Sequence, residues 1–228
     1  MSKFCRACGG EVKPTANFCG SCGAAVSSPE KTKGAVDIVF LMDATGSMQP
    51  VIDNLKNNIK GFIDELDVGA HNQNPVKYWR AKVVGYRDFI YDHVPIEDNP
   101  FVDNTEGIYA QFDRLKAEGG GDEPESLLEG IYHVANQGQT GRGEPLSPNK
   151  WRYRGEGIRM VIVFTDASYH EVMERPKGGT FDDVVNICHG NRIILQVFAP
   201  EMECYERLAE IDKSDFYLIA YDESDEDG

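Results

Sequence analysis

The sequence has no apolar run of 18 residues, which is roughly the length that a membrane-spanning helix needs. Its first residues also lack the charged-then-apolar pattern of a secretory signal peptide. These two absences predict a protein that neither crosses a membrane nor carries a secretory leader. We therefore expect a cytoplasmic location, with export by an unusual route as the alternative.

Basic residues are scarce relative to acidic ones, with 23 Lys and Arg against 38 Asp and Glu. The formal net charge is −15, and it is unevenly placed: residues 1–34 carry +3 and the remainder carries −18. An acidic surface repels nucleic acid and anionic membranes, so we expect neither as a partner. The acidic run at residues 222–228 is typical of a solvated tail.

Cysteine is rare, with six in 228 residues, and four of the six fall within the first 22 residues. They form two Cys-x2-Cys pairs separated by ten residues, a spacing that predicts a tetrahedral structural Zn²⁺ site. The four are Cys5, Cys8, Cys19 and Cys22. Two disulfides are the alternative, which a cytosolic chain disfavours. A zinc ribbon over residues 1–26 is too small to fold on apolar burial alone, so zinc would supply its folding free energy.

The rest of the chain predicts one larger domain. Residues 27–34 are polar, contain Pro and Gly and show no periodicity, which indicates a linker. Over residues 35–221, short apolar runs alternate with segments of helical periodicity. This alternation favours an α/β fold, in which a doubly wound, mostly parallel sheet is covered by helices on both faces.

The most informative stretch is the apolar run 36–42, which ends at Asp43 and is followed by Thr45 and Ser47. In an open α/β sheet, ligands bind beyond the carboxyl ends of the strands. One carboxylate and two hydroxyls offer only oxygen, the ligand type that Mg²⁺ prefers. The alternative is purely structural, with the hydroxyls capping the helix that begins near Gln49 and the aspartate ending the strand.

Two later loops carry similar chemistry. Three consecutive glycines precede Asp122, which is also a plausible N-cap for a helix with Pro124 in its first turn. A second apolar strand, from Arg159 onward, ends at Asp166. His170 follows four residues later and could face the same site, although a lone histidine is more often a hydrogen-bonded loop residue.

An apolar strand followed by Asp-x-Thr-Gly-Ser-Met resembles the metal-ion-dependent adhesion site (MIDAS) of von Willebrand factor A (vWA) domains. The resemblance implies a Rossmann-like fold with one antiparallel edge strand near residues 86–95. It also implies a site for Mg²⁺, or for Mn²⁺ or Ca²⁺. Its ligands would be Asp43, Thr45, Ser47, Asp122 and Asp166. Asp122 would stand where the family has a threonine, adding one negative charge that holds the cation more tightly and weakens its attraction for an acidic ligand.

Three further segments indicate a subgroup of this family. Gly85-Tyr86-Arg87-Asp88, the loop at residues 119–125 and Trp151-Arg152 are similar to vWA domains associated with atypical alpha-kinases and to their bacterial relatives. The sequence contains no Gly-rich phosphate loop with a following lysine and no catalytic-loop pattern of a kinase. The long loop at residues 138–158 is expected to lie near the edge of the site.

These observations favour a metal-dependent protein-binding module with an adaptor or regulatory role. A partner's acidic side chain would complete the Mg²⁺ coordination, and the resemblance implies roles beside ATPases, chaperones or stress-response machinery. No catalytic constellation is evident, so we expect no enzyme activity. One alternative is a Mg²⁺-dependent phosphoester hydrolase that uses Asp122, Asp166 and His170 to activate water. The others are a vWA scaffold with an inactive metal site and nucleic-acid binding through the ribbon.

Overall fold

The structure, a computed structural model, describes residues 3–4, 8, 10–12, 20–22, 34–69, 76–121 and 123–219. Two zinc-ligand candidates, Cys5 and Cys19, and the candidate Asp122 lie outside the described residues. The predicted acidic tail also lies outside them. No helix in the described ranges is both long and apolar enough to cross a membrane.

A six-stranded sheet forms the centre of the domain, with strand order β10-β9-β6-β3-β4-β5. All neighbouring strands are parallel except β5, which pairs antiparallel with β4. The strands are β3 (Ala35–Asp43), β4 (Tyr78–Tyr86), β5 (Ile96–Asp98), β6 (Ile158–Phe164), β9 (Ile193–Ala199) and β10 (Asp215–Leu218). Two small antiparallel pairs lie apart from this sheet: β1 (Lys3–Phe4) with β2 (Glu11–Val12), and β7 (Val172–Met173) with β8 (Gly179–Thr180).

Five α-helices lie between the strands in the described part of the chain. They are α1 (Gln49–Gly69), α2 (Thr105–Arg114), α3 (Leu127–Ala135), α4 (Phe181–Asn191) and α5 (Glu203–Glu206). Two 3₁₀ turns, Gly46–Met48 and Arg207–Glu210, precede α1 and follow α5. The order of strands and helices confirms the predicted α/β class with a mostly parallel sheet.

Strand β3 is the middle of the domain because all nine of its residues are buried. Side chains alternate between the two faces of a strand, so a continuous apolar run serves a sheet that is covered on both sides. Val39 and Leu41 pack into a core that includes residues of α3 and α4. Phe40 and Met42 pack into a second core with residues of α1 and α2.

The chain runs from β3 outward to β4 on one side, and the later strands continue from β3 on the other side. The order in which the chain adds strands to the sheet therefore reverses between β3 and its neighbour β6. In doubly wound sheets, the crevice for ligands opens at such a switch point, beyond the carboxyl ends of the strands. Asp43 and Asp166 lie at the carboxyl ends of these two neighbouring strands.

The antiparallel edge strand is present but lies at Ile96–Asp98, just beyond the expected region near 86–95. Helix α2, which follows it, is capped by Asn104, whose side chain accepts a hydrogen bond from the Gly107 N–H. Helix α5 is short and leads directly into a 3₁₀ turn.

Helix α3 begins at Leu127, after Ser126, and not near Asp122 and Pro124 as predicted. The cause is pairing of the preceding loop with the segment after β6. The Glu125 N–H donates to the Ser168 carbonyl at 2.7 Å, and the Glu125 carbonyl accepts from the His170 N–H at 3.0 Å. These two bonds hold Glu125 in an extended conformation, so the helix cannot start before it.

Candidate metal centre

Asp43, the last residue of β3, is fully buried, and its carboxylate accepts four hydrogen bonds. Oδ1 accepts from the Thr45 backbone N–H at 3.0 Å and from Thr45 Oγ1 at 2.7 Å. Oδ2 accepts from Thr165 Oγ1 at 3.0 Å and from the Tyr86 hydroxyl at 3.2 Å. The carboxylate thus fixes side chains from three neighbouring strand ends at one point.

Burial also changes the protonation of this carboxylate. Desolvation raises the pKa of Asp43 to about 6, although the hydrogen bonds from Thr45 and Thr165 act in the opposite direction. The nearby negative charge of Asp166 raises it further. A buried carboxylate with a raised pKa indicates that the surroundings lack a compensating positive charge.

The loop after β3 brings its two hydroxyls to the edge of the sheet. Thr45 is buried, whereas Ser47 is exposed and lies in the 3₁₀ turn that leads into α1. Ser47 therefore lies within this turn and does not occupy the predicted N-cap position. The Ser47 side chain is hydrogen-bonded to Asp166 and favours its ionised form, while burial raises the Asp166 pKa.

The glycine loop closes over these residues. The Gly46 N–H donates to the Gly119 carbonyl at 3.3 Å, and the Gly120 N–H donates to Asp92 Oδ2 at 3.0 Å. Gly120 has φ of +81°, and a Cβ there would lie 3.1 Å from Thr45 Cβ. A side chain at this position would therefore be strained and would press on Thr45, which explains the need for glycine.

Glu125 follows this loop and was not among the predicted site residues. Its side chain is 7% exposed, and its Oε2 has no hydrogen-bond partner among the described residues. Desolvation, followed by the negative charges of Asp43 and Asp88, raises the pKa of Glu125 to about 8. Its sequence context, between Pro124 and Ser126, carries no signal that separates it from an ordinary loop glutamate.

A cavity of about 370 Å³ opens between these loops. Its lining includes Thr45, Ser47, Glu125 and Asp166, together with the three glycines at 119–121. Asp43 does not line it and lies behind Thr45, to which it is bonded. The cavity brings together three of the five predicted ligands, and a fourth contacts them. His170 is absent from the lining.

The cavity fits a hard cation by its donor set. Every polar side chain named in its lining offers oxygen, and none offers sulfur or imidazole. Asp166 Oδ1 is buried without a hydrogen-bond partner among the described residues, as is Glu125 Oε2. A buried acceptor without a donor is costly, and a cation at the cavity would satisfy Asp166 Oδ1.

As far as the described residues show, the cavity is not lined by carboxylates alone. Within the described ranges, no group of three or more His, Cys, Asp or Glu side chains is placed to hold a metal ion. The arrangement at this cavity instead combines hydroxyls with carboxylates. Tyr86 and Thr165 also belong to it through their bonds to Asp43, and neither was predicted.

Two curated proteins resemble parts of this chain in sequence. The sequence is 26% identical over 149 residues to the alpha-protein kinase vwkA of Dictyostelium discoideum, covering 63% of this chain and 21% of that protein. It is 28% identical over 94 residues to an ariadne-like RING finger protein of Acanthamoeba polyphaga mimivirus, covering 41% of this chain and 9% of that protein. The chain thus spans about a fifth or less of either relative.

The family model of the von Willebrand factor type A domain matches residues 37–226, which is most of the chain. The matched region starts inside β3 and contains the rest of the central sheet, the glycine loop and the cavity. Domains of this family are mostly interaction modules without catalysis, and many of them bind proteins with the help of a divalent metal. The chain belongs to the von Willebrand factor type A domain family.

Proposed function

We propose that this chain is a metal-dependent protein-binding module whose Mg²⁺ site is completed by an acidic side chain of its partner. Thr45, Ser47 and Asp166 would hold the ion at the cavity, with Asp43 behind them and Asp122 from the glycine loop. The observation that carries the proposal is Asp166 Oδ1, a buried acceptor without a donor beside two hydroxyls. When bound, the metal would supply a positive charge that attracts a carboxylate from outside.

Asp43 has a separate role in this proposal. Its four hydrogen bonds use both carboxylate oxygens, so it orients Thr45 and holds Thr165 and Tyr86 in place. In metal sites, side chains that bind the ion are commonly held in position by hydrogen bonds to a second set of residues, and Asp43 would do this for Thr45. The cavity lies at the end of the sheet and is bordered by the glycine loop, so a partner can reach it.

The N-terminal module would bind zinc through Cys5, Cys8, Cys19 and Cys22. The pairing of β1 with β2 supports this proposal, because this hairpin encloses the first Cys-x2-Cys pair between its strands. Cysteine pairs of zinc ribbons commonly lie at hairpin turns, where the backbone can fold around the metal. The ribbon would then offer a second contact surface to the same partner, which we expect to be an intracellular protein such as an ATPase, a chaperone or a stress-response component.

The test is affinity capture of partners from a cell extract with the full chain as bait. The bait is dialysed free of Mg²⁺ and used with or without added Mg²⁺, and no chelator is used because it would also remove zinc. We expect a protein that is retained only when Mg²⁺ is present. Asp166→Asn and Ser47→Ala should each lose this protein, since both change groups at the cavity and Ser47 is exposed.

Asp182→Asn is the matched control. Asp182 is exposed in the first turn of α4, so this change alters the same chemical group away from the cavity. The control should retain the partner as well as the unmodified chain does. Retention that is equal with and without Mg²⁺, or equal in Asp166→Asn, would overturn the proposal.

A further inference from the structure

A second cavity, of about 690 Å³, lies beside the amino-terminal ends of β6 and β9, at the end of the sheet opposite the metal centre. Its lining is strongly basic although the chain as a whole has a net charge of −15. The basic and imidazole side chains are Arg154, Arg159, Arg192, Lys213 and His189. Asp212 is the one acidic residue among the described residues that line it.

Ion pairs are scarce in this basic cluster, as far as the described residues show. Among them, Arg154, Arg159 and Arg192 form no ion pair, whereas Arg80 and Arg152 both pair with Asp37. Within the described part of the chain, Lys213 alone in the cluster has a counter-charge, with its Nζ 3.9 Å from Asp212 Oδ2. Both of these side chains are more than 70% exposed, so their pairing is weak.

Capping of helix α4 explains part of this cluster. Arg154 Nη1 donates to the Gly190 carbonyl at 3.4 Å, and Arg159 Nη1 donates to the Asn191 carbonyl at 2.9 Å. A helix C-terminus carries only about half a negative charge. Three guanidinium groups and Lys213, set against Asp212 and the helix end, therefore leave a clear excess of positive charge.

The backbone is strained at two of these residues. Arg192 has φ of +55° and Lys213 has φ of +63°, and they are the only non-glycine residues with positive φ in the described ranges. This left-handed conformation costs roughly 1–2 kcal/mol for a residue with a Cβ. Glycine would relieve that cost at each position, yet a basic residue occupies both, and both line the same cavity. Arg192 adopts this conformation as the C-cap of α4, where its backbone N–H donates to the Cys188 and His189 carbonyls.

The cavity also has donors and apolar surface suited to a small molecule. His189 Nε2 accepts a hydrogen bond from the Asp212 N–H, so a neutral imidazole carries its proton on Nδ1 and can donate there. Ile158 is 52% exposed at the start of β6, and Ile194, which pairs with Met160 on the neighbouring strand β9, lines the same cavity. Cations thus border an exposed aliphatic patch.

We propose that this cavity binds a pyrophosphate group, either as free inorganic polyphosphate or as part of a nucleoside diphosphate. The guanidinium fork matches phosphate oxygens in two parallel hydrogen bonds, and the exposed Arg154 and Arg192 would supply two such forks. The buried Arg159 already donates to the Arg152 and Asn191 carbonyls and to Gln139, so it would contribute its charge alone. In a nucleoside diphosphate, the base and sugar would lie against Ile158 and Ile194. The site is separate from the metal centre, which lies at the carboxyl ends of the strands.

The test is isothermal titration calorimetry of the full chain with pyrophosphate and, separately, with ADP. The variant is Arg154→Gln/Arg192→Gln, because both side chains are exposed, whereas Arg159 is buried. We expect both ligands to bind the unmodified chain, and the double variant to weaken each by about a hundredfold, or about tenfold for each charge-assisted contact. Circular dichroism checks that the variant is folded.

Lys177→Gln is the control, since Lys177 is exposed and lies outside this cavity. It should leave both affinities unchanged. Tighter binding of ADP than of pyrophosphate identifies a nucleotide as the source of the phosphate, and equal or weaker binding identifies free polyphosphate. Absence of binding by both probes, or equal binding by the double variant and the unmodified chain, overturns the proposal.

Discussion

Glu125 gives the metal-free protein a stability that should fall as the pH rises. Burial and neighbouring carboxylates raise its pKa to about 8, from the ordinary value of 4.5. The folded state therefore keeps the proton over a pH range in which the unfolded chain has lost it. Folding stability contributed by this group is fully present below pH 4.5 and is lost as the pH rises to about 8.

The magnitude follows from the shift. One pKa unit corresponds to about 1.4 kcal/mol, so between pH 5 and pH 8 the loss from Glu125 amounts to about 3 kcal/mol. Glu125→Gln keeps the size and hydrogen-bonding capacity of the protonated acid but cannot ionise. The unmodified chain should therefore lose stability relative to Glu125→Gln as the pH rises. From pH 5 to pH 8, the unfolding free energy of the variant should gain about 3 kcal/mol over that of the unmodified chain.

The assay is urea unfolding at pH 5, 6.5 and 8 without added divalent cations. The fluorescence of Trp79 and Trp151, both buried, reports the transition. Glu201→Gln, at an exposed position, serves as the control and should differ from the unmodified chain by the same amount at every pH. A difference for Glu125→Gln that does not change with pH would refute the reasoning, because it would mean that Glu125 ionises normally in the folded state.

Three further predictions concern buried groups on β3 and directly after β6. The Asp43 pKa of about 6 implies that the affinity for Mg²⁺ falls by up to tenfold per pH unit below pH 6. Calorimetry at pH 5 and pH 7.5 measures this fall, and equal affinities at the two pH values would contradict the prediction. Asp37→Ala should cost about 3–5 kcal/mol in urea unfolding, because it leaves Arg80 and Arg152 buried without their carboxylate; a loss under 1 kcal/mol would argue against this ion-pair cluster. Thr165→Val removes a buried donor to Asp43 and should lower the unfolding free energy by about 1–3 kcal/mol, whereas unchanged stability would show that this bond contributes nothing.

The fold was predictable because its central strands are continuous apolar runs. The stretch that ends at Asp43 has the sequence of a strand that is buried on both faces, and the structure confirms nine buried residues there. The start of α3 was mispredicted because Asp122 and Pro124 give strong local signals for a helix start. Pairing of Glu125 with the segment at Ser168 overrides them, and such a long-range contact leaves no trace in the local sequence.

The candidate site was predictable where its residues end strands. Asp43 and Asp166 each follow an apolar run, and parallel strands bring their carboxyl ends to one edge. Tyr86 and Thr165 are buried strand-end residues whose polar groups could equally have been bonded elsewhere. Their bonds to Asp43 depend on the strand register, with Asp43 opposite Tyr86, which only the folded sheet defines.

The presence of a divalent ion at the cavity is the central claim, and Mn²⁺ binding followed by electron paramagnetic resonance tests it most directly. The full chain is titrated with Mn²⁺, and Mg²⁺ is then added as a competitor. We predict one bound Mn²⁺ per chain that Mg²⁺ displaces, an affinity at least about tenfold lower in Asp166→Asn, and no change in the Asp182→Asn control. A chain that binds no Mn²⁺, or an Asp166→Asn variant that binds it as tightly as the unmodified chain, would contradict the assignment of this cavity as a metal centre.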